Sequence, residues 1–181
     1  MKTVILIFTI LLLQSPPELV DKLVTAAANG DISKVSTILK KGVDINAKNR
    51  ARWNALGYAC KYGHIDVVKF LVQKGANVNE QINTGSTPLA VALLEGHFDI
   101  ASYLIENKAD VNIPDLMGMS PLMWAVKANQ LKMVEFLVKY GAKVNDVNQN
   151  GRSVLDLATD ESIRKYLISK GAKTSSDLLK Q

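Results

Sequence analysis

The amino-acid sequence predicts an all-α chain built as a solenoid of stacked helix–turn–helix units, and three observations predict it. Leu23, Leu56, Leu89, Leu122 and Leu155 stand 33 residues apart. Ala26, Ala59, Ala92, Ala125 and Ala158 keep the same interval, and capping residues and glycines recur in step with both columns. A fixed period of this length marks a repeat architecture, in which no unit buries its apolar face alone and each stacks on the next.

Each unit opens on a helix. Two residues ahead of each leucine stand Asp21, Asn54, Thr87, Ser120 and Ser153. All are N-cap types, whose side-chain oxygen accepts a backbone N–H of the first turn. Pro88 and Pro121 follow two of these caps, at the first helical position, where a missing N–H costs nothing. This first helix closes at Gly30, Gly63, Gly96 and Asn129, residues suited to a left-handed C-terminal turn.

A second helix follows, with apolar residues at helical spacing: Ile65, Val67, Val68, Leu71 and Val72 in one unit, Leu131, Met133, Val134, Leu137 and Val138 in another. It ends at Gly42, Gly75, Gly141 and Gly171, with Lys108 as the exception in the third unit. The columns Ile45, Val78, Val111, Val144 and Asn46, Asn79, Asn112, Asn145 then lead into the next unit. The resulting boundaries are 18–48, 49–81, 82–114, 115–147 and 148–175, within a repeat domain of residues 18–175. A polar tail of residues 176–181 follows. The last unit has lost three residues between its helices, since Leu167 lies 30 rather than 33 residues after Leu137. Atypical end units are expected in such an array, because each shows one face to water.

The strings Gly85-Ser86-Thr87-Pro88-Leu89-Ala90-Val91-Ala92, Gly63-His64-Ile65-Asp66-Val67-Val68 and Gly75-Ala76-Asn77-Val78-Asn79 resemble the ankyrin repeat. The resemblance implies an L-shaped stack of helix pairs with projecting hairpin-like loops, and a concave face of loops and first helices that binds another protein. This sequence departs from the family pattern in several places. Gly57, Ala90, Met123 and Asp156 fill the column of the family's usual histidine, and the first unit has no Thr-Pro-Leu string. Arg52 stands where the loop normally has glycine, which predicts a strained or reshaped loop.

Carried onto this sequence, the family's contact columns give the candidate partner-binding residues Arg50, Trp53, Tyr62, Leu94, Leu116, Met117, Met119 and Arg152. Six of these are large and apolar at places expected to meet solvent, and adjoining exposed apolar side chains commonly mark an interaction site. Trp53 and Leu94 have an alternative reading, in which they fold inward. Trp124, one residue before the alanine column, is expected in the core between repeats.

No constellation for catalysis emerges. His64 and His97 are the only histidines and sit one repeat apart. Packed helices lie about 8–10 Å apart, while one metal ion holds its ligands at about 2 Å. Cys60 shares a column with Ala27, Leu93 and Val126 and reads as a small core residue. Asp66 and Asp99 fall in first helical turns, where the dipole favours negative charge. No catalytic residue, metal ligand or cofactor is expected. The formal net charge of +5 favours acidic partners but falls short of the dense basic patch of nucleic-acid binders. The expected function is therefore a non-catalytic protein–protein interaction module, monomeric, with an inhibitor or antitoxin-type masking protein as the alternative and nucleic-acid binding a weaker reading.

Residues 1–17 stand apart as a signal-like hydrophobic leader. Met1-Lys2 and the apolar run of residues 3–13 match the first two parts of a secretory signal. The run is short for a membrane span, which needs about 20 residues. Export to the periplasm or beyond is expected, with no stable membrane insertion once the leader is removed. Anchoring by residues 3–13, a hydrophobic cap on the first repeat, and a cytoplasmic location are the alternatives.

Overall fold

A computed structural model of the protein describes residues 15–180, so the leader run of residues 3–13 lies outside the described residues. In chain order the helices are α1 (Pro17–Ala28), α2 (Ile32–Leu39), α3 (Ala55–Lys61), α4 (Ile65–Gln73), α5 (Pro88–Leu94), α6 (Phe98–Glu106), α7 (Pro121–Lys127), α8 (Leu131–Lys139), α9 (Val154–Leu157), α10 (Glu161–Ser169) and α11 (Ser175–Leu178). Among the described residues no strand forms, and the loops carry a single isolated bridge, Val147 to Ser153. No described helix is long and apolar enough to cross a membrane. The chain divides into two compact units between Asn77 and Val78.

In the first unit α1 packs on α2 and α3, α3 on α4, and α2 on α4. Leu23, Ala27, Val35, Leu56, Ala59, Cys60, Val68 and Leu71 are wholly or almost wholly buried, so the leucine and alanine columns are core positions. The first helix begins four residues before the cap expected at Asp21. Pro17 takes its first position after Pro16, and Val20, Leu23 and Val24 continue one buried stripe. Asp21 is thus an exposed residue inside the helix. The outward stripe of α1 is polar, with Glu18, Lys22, Thr25 and Asn29 exposed and Lys22 paired to Glu18 at 2.6 Å.

In the second unit α5 packs on α6 and α7, α7 on α8 and α9, and α10 on α8 and α9. Leu89, Ala92, Leu104, Leu122, Ala125, Leu137 and Leu167 are fully buried. The missing residues of the last repeat shorten α9 to one turn, after which Ala158 is extended and Asp160 caps α10 through the N–H groups of Ser162 and Ile163. The start of the polar tail lies within α11, whose N-cap is Thr174.

Local punctuation sets these elements. Asn54, Thr87, Ser120 and Ser153 each accept the backbone N–H three residues on. Asn129 and Lys108, at φ of 53° and 70°, adopt the left-handed turn that glycine makes elsewhere. The asparagine column has a structural task. Asn46 accepts the N–H of Asn77 at 2.8 Å, and in the second unit Asn79, Asn112 and Asn145 accept those of Asp110, Lys143 and Lys173 at 2.8–2.9 Å. In the first repeat the Ser15 hydroxyl takes this role, accepting the N–H of Asp44 at 2.8 Å.

Candidate partner-binding loops

Four loops carry the contact columns, and one turn builds them all. The first residue's N–H donates to the fifth residue's carbonyl, and the fourth residue's N–H returns to the first carbonyl. In the first unit these bonds are Asn49 to Trp53 at 2.9 Å and Arg52 to Asn49 at 2.8 Å. In the second they join Ile82 with Ser86 and Gly85, Asp115 with Met119 and Gly118, and Asn148 with Arg152 and Gly151. The first residue also caps the turn from inside: the Asp115 carboxylate accepts the N–H groups of Met117 and Met119, and Asn148 those of Asn150 and Arg152. Ile82 has no such oxygen. There Thr84 bonds Ser86, and the Gln81 amide donates to the Gly85 carbonyl at 2.6 Å. The fourth residue is left-handed throughout, so Arg52 at φ 61° is a non-glycine in a strained conformation, as its departure from the family pattern predicts.

The first unit gathers an aromatic row behind its loop. Trp53 is half-buried rather than open, its ring 4.8 Å from that of Tyr58, and Tyr58 stacks on Tyr62 at 6.1 Å. The Lys61 ammonium lies 5.3 Å from the Trp53 ring centre and 5.6 Å from that of Tyr62. Tyr62 remains 51% exposed, and Arg50 is exposed at the loop tip. Trp53 and Tyr62 are therefore parts of one surface, joined by Tyr58, a residue absent from the predicted set.

In the second unit Leu116 and Met117 project from the Asp115–Met119 loop, 64% and 52% exposed, and Leu94 is 54% exposed at the end of α5. Met119 corrects the expectation. It is only 6% exposed, and its Sδ accepts the Asn148 amide at 3.3 Å, because the neighbouring loop closes over the fifth position of the turn. The Met117 carbonyl accepts the Gln149 N–H, which holds these two loops together. Arg152 is exposed, with its guanidinium donating to the Asp156 carbonyl at 2.6 Å. Trp124 is also a correction. It is half-buried rather than core, with its indole N–H on the Asp115 carboxylate at 3.2 Å and Lys127 4.8 Å above its ring. Tyr58 and Trp124 share a column with the buried Val91 and Leu157; an aromatic ring outgrows that slot and emerges beside the loop. The presence of two aromatics in an otherwise aliphatic column was the available signal.

The groups weighed for chemistry are placed structurally. His64 Nε2 lies 2.8 Å from the Ala28 carbonyl, tying the second repeat to the first. Cys60 is fully buried, and burial pushes its thiol well above the ordinary range, so no thiolate is available. Asp66 and Asp99 lie in the first turns of α4 and α6. Among the described residues no group of His, Cys, Asp and Glu is placed to hold a metal ion.

A family model described as ankyrin repeats, three copies, matches residues 23–115 and 113–177. No curated protein matches the chain.

Proposed function

Because the chain belongs to the ankyrin-repeat family, whose repeats are generally protein–protein interaction modules, we propose that it is a non-catalytic module that binds a partner protein through its loops and first-helix ends, on the concave face the family uses. One observation carries this reading. Tyr62, Leu94, Leu116 and Met117 are each more than half exposed at the family's contact positions, although water alone gives no reason for large apolar side chains there. Fully burying one such side chain contributes about 1.5–3 kcal/mol, and Tyr and Met are enriched in interface cores. Arg50 and Arg152, both exposed, would add polar contacts from the contact loops of the first and second units respectively.

Affinity capture from the native source tests the proposal, with a Tyr62→Ala/Leu116→Ser/Met117→Ser variant as the control. Met119 is left intact, since its replacement opens the core. A protein retained by the parent and lost by the folded variant supports the assignment. Equal retention by both places the interface elsewhere. If the captured partner is an enzyme or a toxin, loss of its activity on titration with the chain would identify masking as the role. Export is proposed from the Met1-Lys2 start and the apolar run of residues 3–13. Cell fractionation that finds only cytoplasmic protein of unprocessed mass would overturn it.

A further inference from the structure

The charges of this chain are unevenly shared. Residues 15–77 hold ten Lys and Arg against five Asp and Glu, whereas residues 78–180 hold eleven against twelve. The imbalance peaks at the contact loop of the first unit: residues 45–65 contain Lys48, Arg50, Arg52 and Lys61 and no acidic residue. Neither Arg50 nor Arg52 has an ion-pair partner among the described residues. Arg50 also borders a groove lined by Asp21 and Asp44, so the positive character rests chiefly on Arg52 and Lys61.

A second observation points to the same loop. Arg52 occupies the left-handed fourth position of the turn, at φ 61°, where the other three loops have Gly85, Gly118 and Gly151. A side chain there strains the backbone, and glycine would relieve it. Lys108 and Asn129 carry left-handed strain at helix ends, but Arg52 is the one non-glycine that carries it in the four contact-loop turns, and binding sites are among the places where such strain collects. Lys61 is held between the rings of Trp53 and Tyr62, which fixes its ammonium beside apolar surface instead of leaving it to wander in water.

We propose that the surface formed by Arg52, Trp53, Lys61 and Tyr62 docks an acidic segment of the partner protein, one that carries carboxylates beside an aromatic or large aliphatic residue. The inference rests on the protein-binding reading above and specifies the partner's chemistry. Carboxylates pair with the Arg52 guanidinium and the Lys61 ammonium, and the apolar neighbour packs on the exposed Tyr62 ring. Nucleic acid fits less well. Its binders track many phosphates along a continuous basic stripe, whereas this surface offers a few cations, and the Trp53 ring is already engaged by Tyr58 and Lys61.

The test uses the full chain and three labelled probes followed by fluorescence anisotropy: a glutamate–tyrosine copolymer, a lysine–tyrosine copolymer and a twelve-nucleotide oligo(dT). The parent is expected to prefer the glutamate–tyrosine copolymer at least tenfold, with affinity falling as salt rises. Arg52→Gly/Lys61→Gln should lose at least tenfold of that affinity. Arg52→Gly alone should weaken binding while raising the melting temperature by about 2–4 °C, a pairing that a residue kept for stability would not give. Retained binding in the double variant overturns the proposal, as does a parent without preference for the acidic copolymer. Tighter oligo(dT) binding would assign the surface to nucleic acid instead. A native partner kept by Arg52→Gly/Lys61→Gln but lost by the Tyr62/Leu116/Met117 variant would remove the acidic docking and leave the proposed function standing.

Discussion

The loops Asn49–Trp53 and Asp115–Met119 are closed by the same pair of backbone hydrogen bonds, yet their fourth residues are Arg52 and Gly118. Both are left-handed, at φ 61° and 71°. The surroundings differ. Arg52 is exposed, whereas a Cβ on Gly118 would lie 2.9 Å from the Gln149 nitrogen and 3.1 Å from the Asn148 Cα. The backbone turn is thus dictated locally, while the permitted side chain is dictated by what packs against it. In the second unit, tight docking of successive loops leaves Gly118 no freedom. In the first, an exposed charged side chain is carried despite strain.

Substitutions at the loops can break this comparison or sharpen it. The largest effect is expected for Gly118→Ala, at roughly 2–4 kcal/mol of destabilisation, combining left-handed strain with a backbone clash. Gly151→Ala should cost only about 1–2 kcal/mol, because nothing lies within 4 Å of its added methyl. Equal losses in urea titrations of the two variants would show that conformation alone, and not loop docking, governs the glycine column.

The last loop is followed by an anchor of another kind, the Asp156 carboxylate. Burial raises its pKa, but hydrogen bonds from Ser153 and Ser175 outweigh that effect and hold it at about 2. Its stabilisation is therefore present above the ordinary value near 4 and is lost as pH falls towards 2. Asp156→Asn should lower stability at pH 7 by about 1 kcal/mol, since solvent screens so accessible a carboxylate, with the gap to the parent closing between pH 4 and pH 2. A gap independent of pH would mean that shape rather than charge anchors this end of the array.

The smallest expected effect returns to the first unit. Asn54 caps α3 through its oxygen, but its buried amide nitrogen has no hydrogen-bond partner, unlike the hydroxyl caps at Thr87, Ser120 and Ser153. Asn54→Thr keeps an oxygen acceptor and removes the orphaned donor, so it should stabilise by about 1 kcal/mol. A decrease in thermal midpoint would show that the amide has a partner in solution, and that the first unit bears less local cost than the strained Arg52 suggests.

Much of this architecture is legible in the residues. Thr87 followed by Pro88 starts a helix wherever it stands, Gly96 ends one, and a leucine every 33 residues defines a core. The turn-closing column Asn49, Asp115 and Asn148 was equally periodic, but Ile82 interrupts it, and only the hydrogen bonds reveal what the column does. The early start of α1 was hidden because Pro16 and Pro17 resemble a linker until Val20 is seen buried beside Leu23.

The sequence by itself determined the repeat register and the helix caps, because each depends on backbone preferences that act within a few residues, and the repeat strings carried the resemblance to the family whose contact columns were transferred to it. Only the tertiary structure decided which contact-column side chains reach solvent. Met117 and Met119 are two residues apart on one loop, yet one is 52% exposed and the other 6%, because the Asn148 loop covers the second alone. Trp53 and Tyr62, nine positions apart, become one surface because Tyr58 spans the gap from a helical turn. Burial and adjacency are properties of the stacked neighbour, and no local spacing encodes them.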